Sequence, residues 1–368
     1  AYGWYAAGTR EEGQRSIWTF YEAVNVWSGE TAVSIPLSKG CLKPLAMLEK
    51  THRKQDTERR KVRMFQGLGV NHIGMGVNDF GKMKEFYGET LAFNQLMAVF
   101  QDTWNPMSEM FRGSSHKLDG IMFSQEAGGV VVELVRIAVP LPKAIRKFTR
   151  YGDIGVNKLT IAVSDIDRFV KEYRDKVNFC SEPKSTTLPG LGAYRFVYAR
   201  DPEGNLIEFI SGGEGDGIFG GCQWIGVSVT NLERSKAFYQ DHCGFDTVVV
   251  APHENFTGLV DEVAGAKNAR VRSCILANSN GGGRLELYEL VEPRGRSIPF
   301  NARWGDFGCL EVCLTIDDVF HTAKELGAAG IEFLTHPTLM DAAEGEAWFL
   351  YAKDPDGIPV EMISIKPH

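Results

Sequence analysis

The chain has 368 residues, 43% of them hydrophobic, enough to build the cores of two ordinary domains. Its formal charge of −7 excludes the basic stripe that a nucleic-acid binder needs. No apolar run approaches the roughly 18 residues that span a bilayer, so neither nucleic acid nor membrane is an expected partner.

Residues 1–66 stand apart as an N-terminal extension. They hold Trp4, Tyr5, Trp18, Phe20, Tyr21 and Trp27, then a charged run from Glu49 to Arg63 that reads as an exposed helix. The aromatic part is expected to pack on the main body or on a second copy of the chain, so a homo-oligomer is one expected state. The seven cysteines are scattered, with no CxxC pair, and read as buried free thiols of a reducing compartment, the cytoplasm.

From Leu68 onward one pattern recurs. VNHIGMGV (70–77) alternates as a strand, FGKMKEFYGETLAF (80–93) has helical apolar spacing, and strands follow, ending in VVVELVRI (130–137). The order returns at VNKLTIAV (156–163) with the helix DIDRFVKEYRDKV. It returns again at CQWIGVSV (222–229) with NLERSKAFYQDH, and at CLEVCLTI (309–316) with DDVFHTAKEL. The second and fourth copies close on near-identical phrases, YARDPEGNLIEFI (198–210) and YAKDPDGIPVEMISI (351–365). In each, a turn precedes a strand bearing one carboxylate among apolar residues, Glu208 or Glu361. A buried carboxylate needs a proton, a metal or a basic partner.

Aligning the copies through their helices places His72, Lys158, Trp224 and Glu311 at one first-strand position. Glu133, Glu208, Glu289 and Glu361 take the last-strand position. The separations are 61, 50, 65 and 50 residues, so the chain is a duplicated pair of modules. RYGDIG (150–155) and RWGDFG (303–308) precede copies two and four. The division expected is 67–215 for modules 1 and 2 and 216–368 for modules 3 and 4, with the boundary in the Gly-rich run 211–221.

Four βαβββ copies with DP(E/D)G-x-x-(I/V)-E endings resemble the vicinal-oxygen-chelate superfamily, which includes glyoxalase I, methylmalonyl-CoA epimerase, extradiol dioxygenases and bleomycin-resistance proteins. The resemblance covers about residues 68 to 366. It implies an α+β fold in which tandem βαβββ modules form two half-barrel clefts. It also implies a divalent metal held by the first and last strands of two paired copies. Pairing one with two would put the protonated Lys158 among the ligands, and pairing three with four would leave no imidazole. Pairing one with four gathers His72, Glu133, Glu311 and Glu361. Pairing two with three then collects Lys158, Glu208, Trp224 and Glu289 in a plugged cleft, unless copy three slips in register toward Gln223 or Glu286.

One imidazole and three carboxylates suit one divalent ion (Mn, Fe, Ni, Mg or Zn) in five- or six-coordination. The resemblance then implies an enzyme acting on a small molecule that chelates the metal through adjacent oxygens. Its chemistry would be isomerase, epimerase or lyase, with Glu361 as catalytic base and Glu133 across the cleft. A ring-cleaving dioxygenase of the extradiol or hydroquinone type is the alternative. It matches at His72 and Glu361 and departs at Glu311, where an imidazole is expected. A metal-free binding protein is the third reading. The insert Gln101–Gln125, with Trp104, Met107, Met110, Phe111, Arg112 and His116, is a candidate lid. Tyr194, Trp348 and Phe349 are candidate cleft walls.

Overall fold

Each of the four repeats folds as a strand, a helix and further strands in the computed structural model, which describes residues 68–104, 117–138, 141–212, 217–342 and 345–367. The N-terminal extension, the boundary at 215/216 and residues 105–116 of the candidate lid lie outside the described residues. The first module is β1 (Val70–Gly76), α1 (Phe80–Glu85), β2 (Gln95–Trp104), β3 (Lys117–Ser124) and β4 (Val131–Ile137). The second is β5 (Gly155–Val163), α2 (Ile166–Tyr173), β6 (Asn178–Phe179), β7 (Lys184–Leu188), β8 (Gly192–Arg200) and β9 (Leu206–Ser211). The third is β10 (Phe219–Ser228), α3 (Leu232–His242), β11 (Thr247–His253), α4 (Asp261–Ala264), β12 (Arg270–Ala277) and β13 (Arg284–Glu292). The fourth is β14 (Gly308–Thr315), α5 (Val319–Ala328), β15 (Thr338–Ala342), β16 (Gly345–Lys353) and β17 (Pro359–Pro367).

The same local chemistry starts each module's principal helix. Asp79, Asp165, Asn231 and Asp318 precede the four helices, and their side chains accept from the backbone N–H of Lys82, Arg168, Arg234 and His321. Such caps satisfy donors the helix cannot, and each is worth about 1 kcal/mol. The first helix is shorter than its periodicity predicts. It passes into a π-turn, Phe86–Thr90, closed by the Leu91 N–H on the Phe86 carbonyl. Phe86 and Tyr87 are both buried there.

Among the described residues the strands form two sheets, and neither pairs module one with two or module three with four. One runs β15-β16-β17-β14-β1-β4-β3-β2, joining modules one and four. The other runs β11-β12-β13-β10-β5-β9-β8-β6, joining modules two and three. The seams are antiparallel: β1 on β14, and β10 on β5. Strand alternation sorts the side chains. Ile73, Met75, Leu134, Val312 and Met362 face the helices in one apolar core. Val135, Ile137, Cys313, Phe349 and Tyr351 face the hollow of the first sheet. Tyr194, Tyr198, Trp224 and Tyr288 fill that of the second.

Candidate metal centre

Two rows of cross-strand neighbours cross the hollow face of the first sheet. In one, His72 on β1 lies opposite Cys313 on β14, and Cys313 lies opposite Glu361 on β17. In the next, Gly74 lies between Glu133 on β4 and Glu311 on β14. A Cβ on Gly74 would fall inside the Glu311 carboxylate and 3.5 Å from Glu133 Oε2, so glycine there is what admits two acidic side chains over one strand. His72 Nε2 is 3.1 Å from Glu361 Oε2 and 3.4 Å from Glu133 Oε2. Ligand atoms of His72, Glu133 and Glu311 lie within 4.8 Å of one another, as do those of His72, Cys313 and Glu361. The four residues singled out in the sequence thus share one pocket wall.

The electrostatics of that wall are unbalanced. His72, Glu311 and Glu361 are buried, and no Lys or Arg among the described residues forms an ion pair with Glu133, Glu311 or Glu361. Neither oxygen of Glu311, nor His72 Nε2, meets a hydrogen-bond partner at bonding geometry. Burial first, then Glu133 and Glu361, hold the Glu311 carboxyl well above the usual carboxylate range. Burial opposes charge on the His72 ring, but Cys313, Glu133 and Glu361 outweigh it and raise its pKa well above 6.5. Burial and Glu361 likewise push the Cys313 thiol up. Buried donor atoms of these types, with no described Lys or Arg beside them, fit a divalent ion.

A second tier orients the imidazole. His72 Nδ1 lies 3.0 Å from Asn71 Oδ1, which can only accept, so Nδ1 carries a proton and Nε2 is the nitrogen left to bind a metal. The Asn71 amide in turn donates to Thr315 Oγ1 at 2.9 Å. Tyr351, opposite Glu361 on β16, is buried beside the same carboxylates.

The second sheet repeats the constellation with other residues. Lys158 lies opposite Gly226, which lies opposite Glu286, while Thr160 lies opposite both Glu208 and Trp224. The Lys158 ammonium, fully buried, donates to Glu208 and, at 2.7 Å, to Glu286. Thr160 Oγ1 and Tyr198 Oη donate to Glu208, and Trp224 Nε1 and Ser273 Oγ donate to Glu286. The rings of Tyr151, Tyr198 and Tyr288 lie within 6.0 Å of the ammonium. Here the protein's own cation occupies the middle of the carboxylates.

One residue of that set differs from its sequence assignment. The acid of copy three is Glu286, not Glu289; a three-residue offset places them on opposite faces of β13. Glu289 instead accepts the Leu232 N–H at the start of α3. With Glu286 the separation within copy three drops from 65 to 62, close to the 61 of copy one. Gln223 bonds backbone carbonyls of Gly220 and Gly221 rather than a ligand position. Of the candidate walls, Phe349 faces the hollow of the first sheet and Tyr194 stacks on Trp224 in the second. Trp348 packs on Phe320 of α5 instead. Cys313 and Asn71 had no sequence signal beyond their neighbours: Cys313 follows Glu311 by two, the same-face interval of a strand.

A family model of the Glyoxalase/Bleomycin resistance protein/Dioxygenase superfamily matches residues 69–209 and 221–362. No curated protein matches the sequence. Among solved structures, glyoxalase I from Zea mays aligns with a TM-score of 0.55 at 16% identity, covering 80% of this chain and 92% of that one. A putative dioxygenase from Bacillus subtilis aligns with a TM-score of 0.51 at 14% identity, covering 82% and 86%. At such identities the likeness is one of fold. The family match takes in both halves of the repeat region and more than half of the chain, and the chain belongs to the Glyoxalase/Bleomycin resistance protein/Dioxygenase superfamily.

Proposed function

We propose that the protein is a divalent-metal-dependent enzyme of the isomerase, epimerase or lyase type. Its substrate is a small molecule with two adjacent oxygens, and its ligands are His72, Glu133, Glu311 and Glu361. The observation that carries this reading is the contrast between the sheets. Carboxylates at equivalent positions surround Lys158 in one, and in the other they surround His72 with no described Lys or Arg, both oxygens of Glu311 being unpartnered. A bound divalent ion would supply Lewis acidity to the adjacent oxygens of the substrate.

The remaining chemistry belongs to the side chains. Glu133 and Glu361 approach His72 Nε2 from strands on either side of the β1–β14 pair, so two carboxylates flank one point from opposite directions. Their side chains keep 15% and 9% exposure, whereas Glu311 is wholly buried. That difference supports giving the proton transfers to Glu361 and Glu133 and a holding role to Glu311. Glu361 removes a proton from the carbon next to the chelating oxygens, and Glu133 returns one from the other side. A glutamate where an oxygenase would place its second imidazole favours this reading over ring cleavage. Six of the seven cysteines are described, all as free thiols, in keeping with a cytoplasmic location.

The test is metal analysis of the purified protein joined to proton exchange. About one ion per chain is expected, lost in His72→Ala and kept in Lys158→Ala. Deuterium from solvent should enter 2-hydroxy ketones or thiol adducts of 2-oxo aldehydes without oxygen, and not with Glu361→Gln. Oxygen uptake with catechols or hydroquinones would replace this reading by the dioxygenase, and stoichiometric ligand binding without metal by a sequestering protein.

A further inference from the structure

We propose that Cys313 is a ligand of this centre and makes it select thiophilic divalent ions, such as zinc, cobalt or cadmium, over magnesium and manganese. The inference rests on the metal-dependent reading above and adds a donor of a different class. Three observations carry it. Cys313 is directly opposite both His72 and Glu361 in the sheet, so it is the residue between two assigned ligands rather than beside them. Its sulfur lies within 4.8 Å of their ligand atoms, and all three residues are buried. The imidazole in the same group is 3% exposed, its Nδ1 is engaged by Asn71 Oδ1, and its Nε2 lies 3.1 Å from the carboxylate opposite Cys313, so the three donor types converge.

Metal–ligand bonds of about 2.0–2.3 Å put neighbouring donor atoms roughly 3–4 Å apart, so closure from the present spacing takes about an ångström of side-chain movement. His72 is common to two ligand groups. One, with Glu133 and Glu311, is all nitrogen and oxygen; the other, with Cys313 and Glu361, contains sulfur. Hard ions have no use for the second group, whereas zinc, cobalt and cadmium gain from it. When the bond forms, a metal–sulfur bond replaces the S–H bond and the proton leaves to solvent.

The second sheet supplies the rival explanation. Thr160 stands where Cys313 stands, and its hydroxyl donates to Glu208 at 2.9 Å. A cysteine that merely donates its S–H to Glu361 would do the same work.

Cobalt separates the two. The full chain, stripped with a chelator, reduced and kept anaerobic, is titrated with Co²⁺ and followed by absorption. A sulfur-to-cobalt charge-transfer band in the near ultraviolet is expected in the wild type. It should vanish in Cys313→Ser and Cys313→Thr while the visible ligand-field bands persist. In competition, preference for Cd²⁺ over Mn²⁺ should fall about tenfold or more in both variants. Visible bands without the near-ultraviolet band in the wild type would overturn the thiolate ligand and leave the metal-dependent reading intact. Absence of any cobalt spectrum would overturn that reading itself. The wild-type measurement decides even if a variant fails to fold.

Discussion

Replacing Lys158 by methionine keeps the length of the side chain and removes its charge from between two carboxylates. Lys158, Glu208 and Glu286 are each at most 1% exposed, so no water replaces the ammonium. Burial already raises the Glu208 carboxyl, Lys158 lowers it, and Glu286 raises it again. Without the lysine the upward influences are opposed by a neutral hydroxyl, Thr160, and no longer by a charge. Breaking one partner out of a buried ion pair costs about 3–5 kcal/mol, because an uncompensated charge is left behind. For a body of this size, at about 2–4 °C per kcal/mol, Tm should fall by roughly 6–20 °C. The assay is urea unfolding near neutral pH with a thermal scan alongside. A triple variant, Lys158→Met with Glu208→Gln and Glu286→Gln, removes every charge and should regain most of the loss. A single variant within about 1 kcal/mol of wild type would refute the resident-cation reasoning, as would a triple variant no better than the single.

Three further outcomes are expected. In the metal-free protein, His72 has a folded-state pKa above 6.5, so its stabilisation is complete below about 6.5 and is lost as pH rises through that higher value. The raised Glu311 acts in the same direction, since above about pH 4.5 the unfolded carboxyl ionises while the folded one resists, which costs stability as pH rises. The stripped protein should therefore lose Tm on going from pH 6 to 8 while the zinc-loaded one does not; a stripped protein that gains Tm would contradict the assignment. Gly74→Ala should weaken divalent-ion binding at least tenfold by calorimetry while the fold, read by circular dichroism, survives, since its Cβ competes for the space of one flexible carboxylate. Asn71→Ala frees the His72 tautomer and should lower metal affinity by about 10- to 100-fold, with Asn71→Asp restoring part of it.

The repeat made the fold legible. Four strand–helix–strand cycles with matched endings specify the modules, and ligand chemistry favours joining the first to the fourth, as the sheets do. What sequence could not settle was register within a strand. LELYELV offers two glutamates three residues apart, and three residues always separate opposite faces of a strand. Only the near-equality of 61 and 62 spacings argued for Glu286. Cys313 was hidden for another reason. The other copies carry Gly74, Thr160 and Gly226 at its position, two glycines and a hydroxyl, so the repeat gave it no chemical precedent. Asn71 acts sideways on its own neighbour, a relation that face periodicity does not reveal.

The nesting of the sheets sets an order of assembly. On a ribosome the strands of the inner pair are all available once Glu292 has emerged, while β1 must wait for β14 and Glu361 must wait almost for release. Contacts that close such long loops form late. The lysine-centred half, complete first and needing nothing from solution, can act as the template on which the opening and closing quarters meet. Nascent chains cut short between Glu292 and β17 would then keep a folded heart and lack the reactive one.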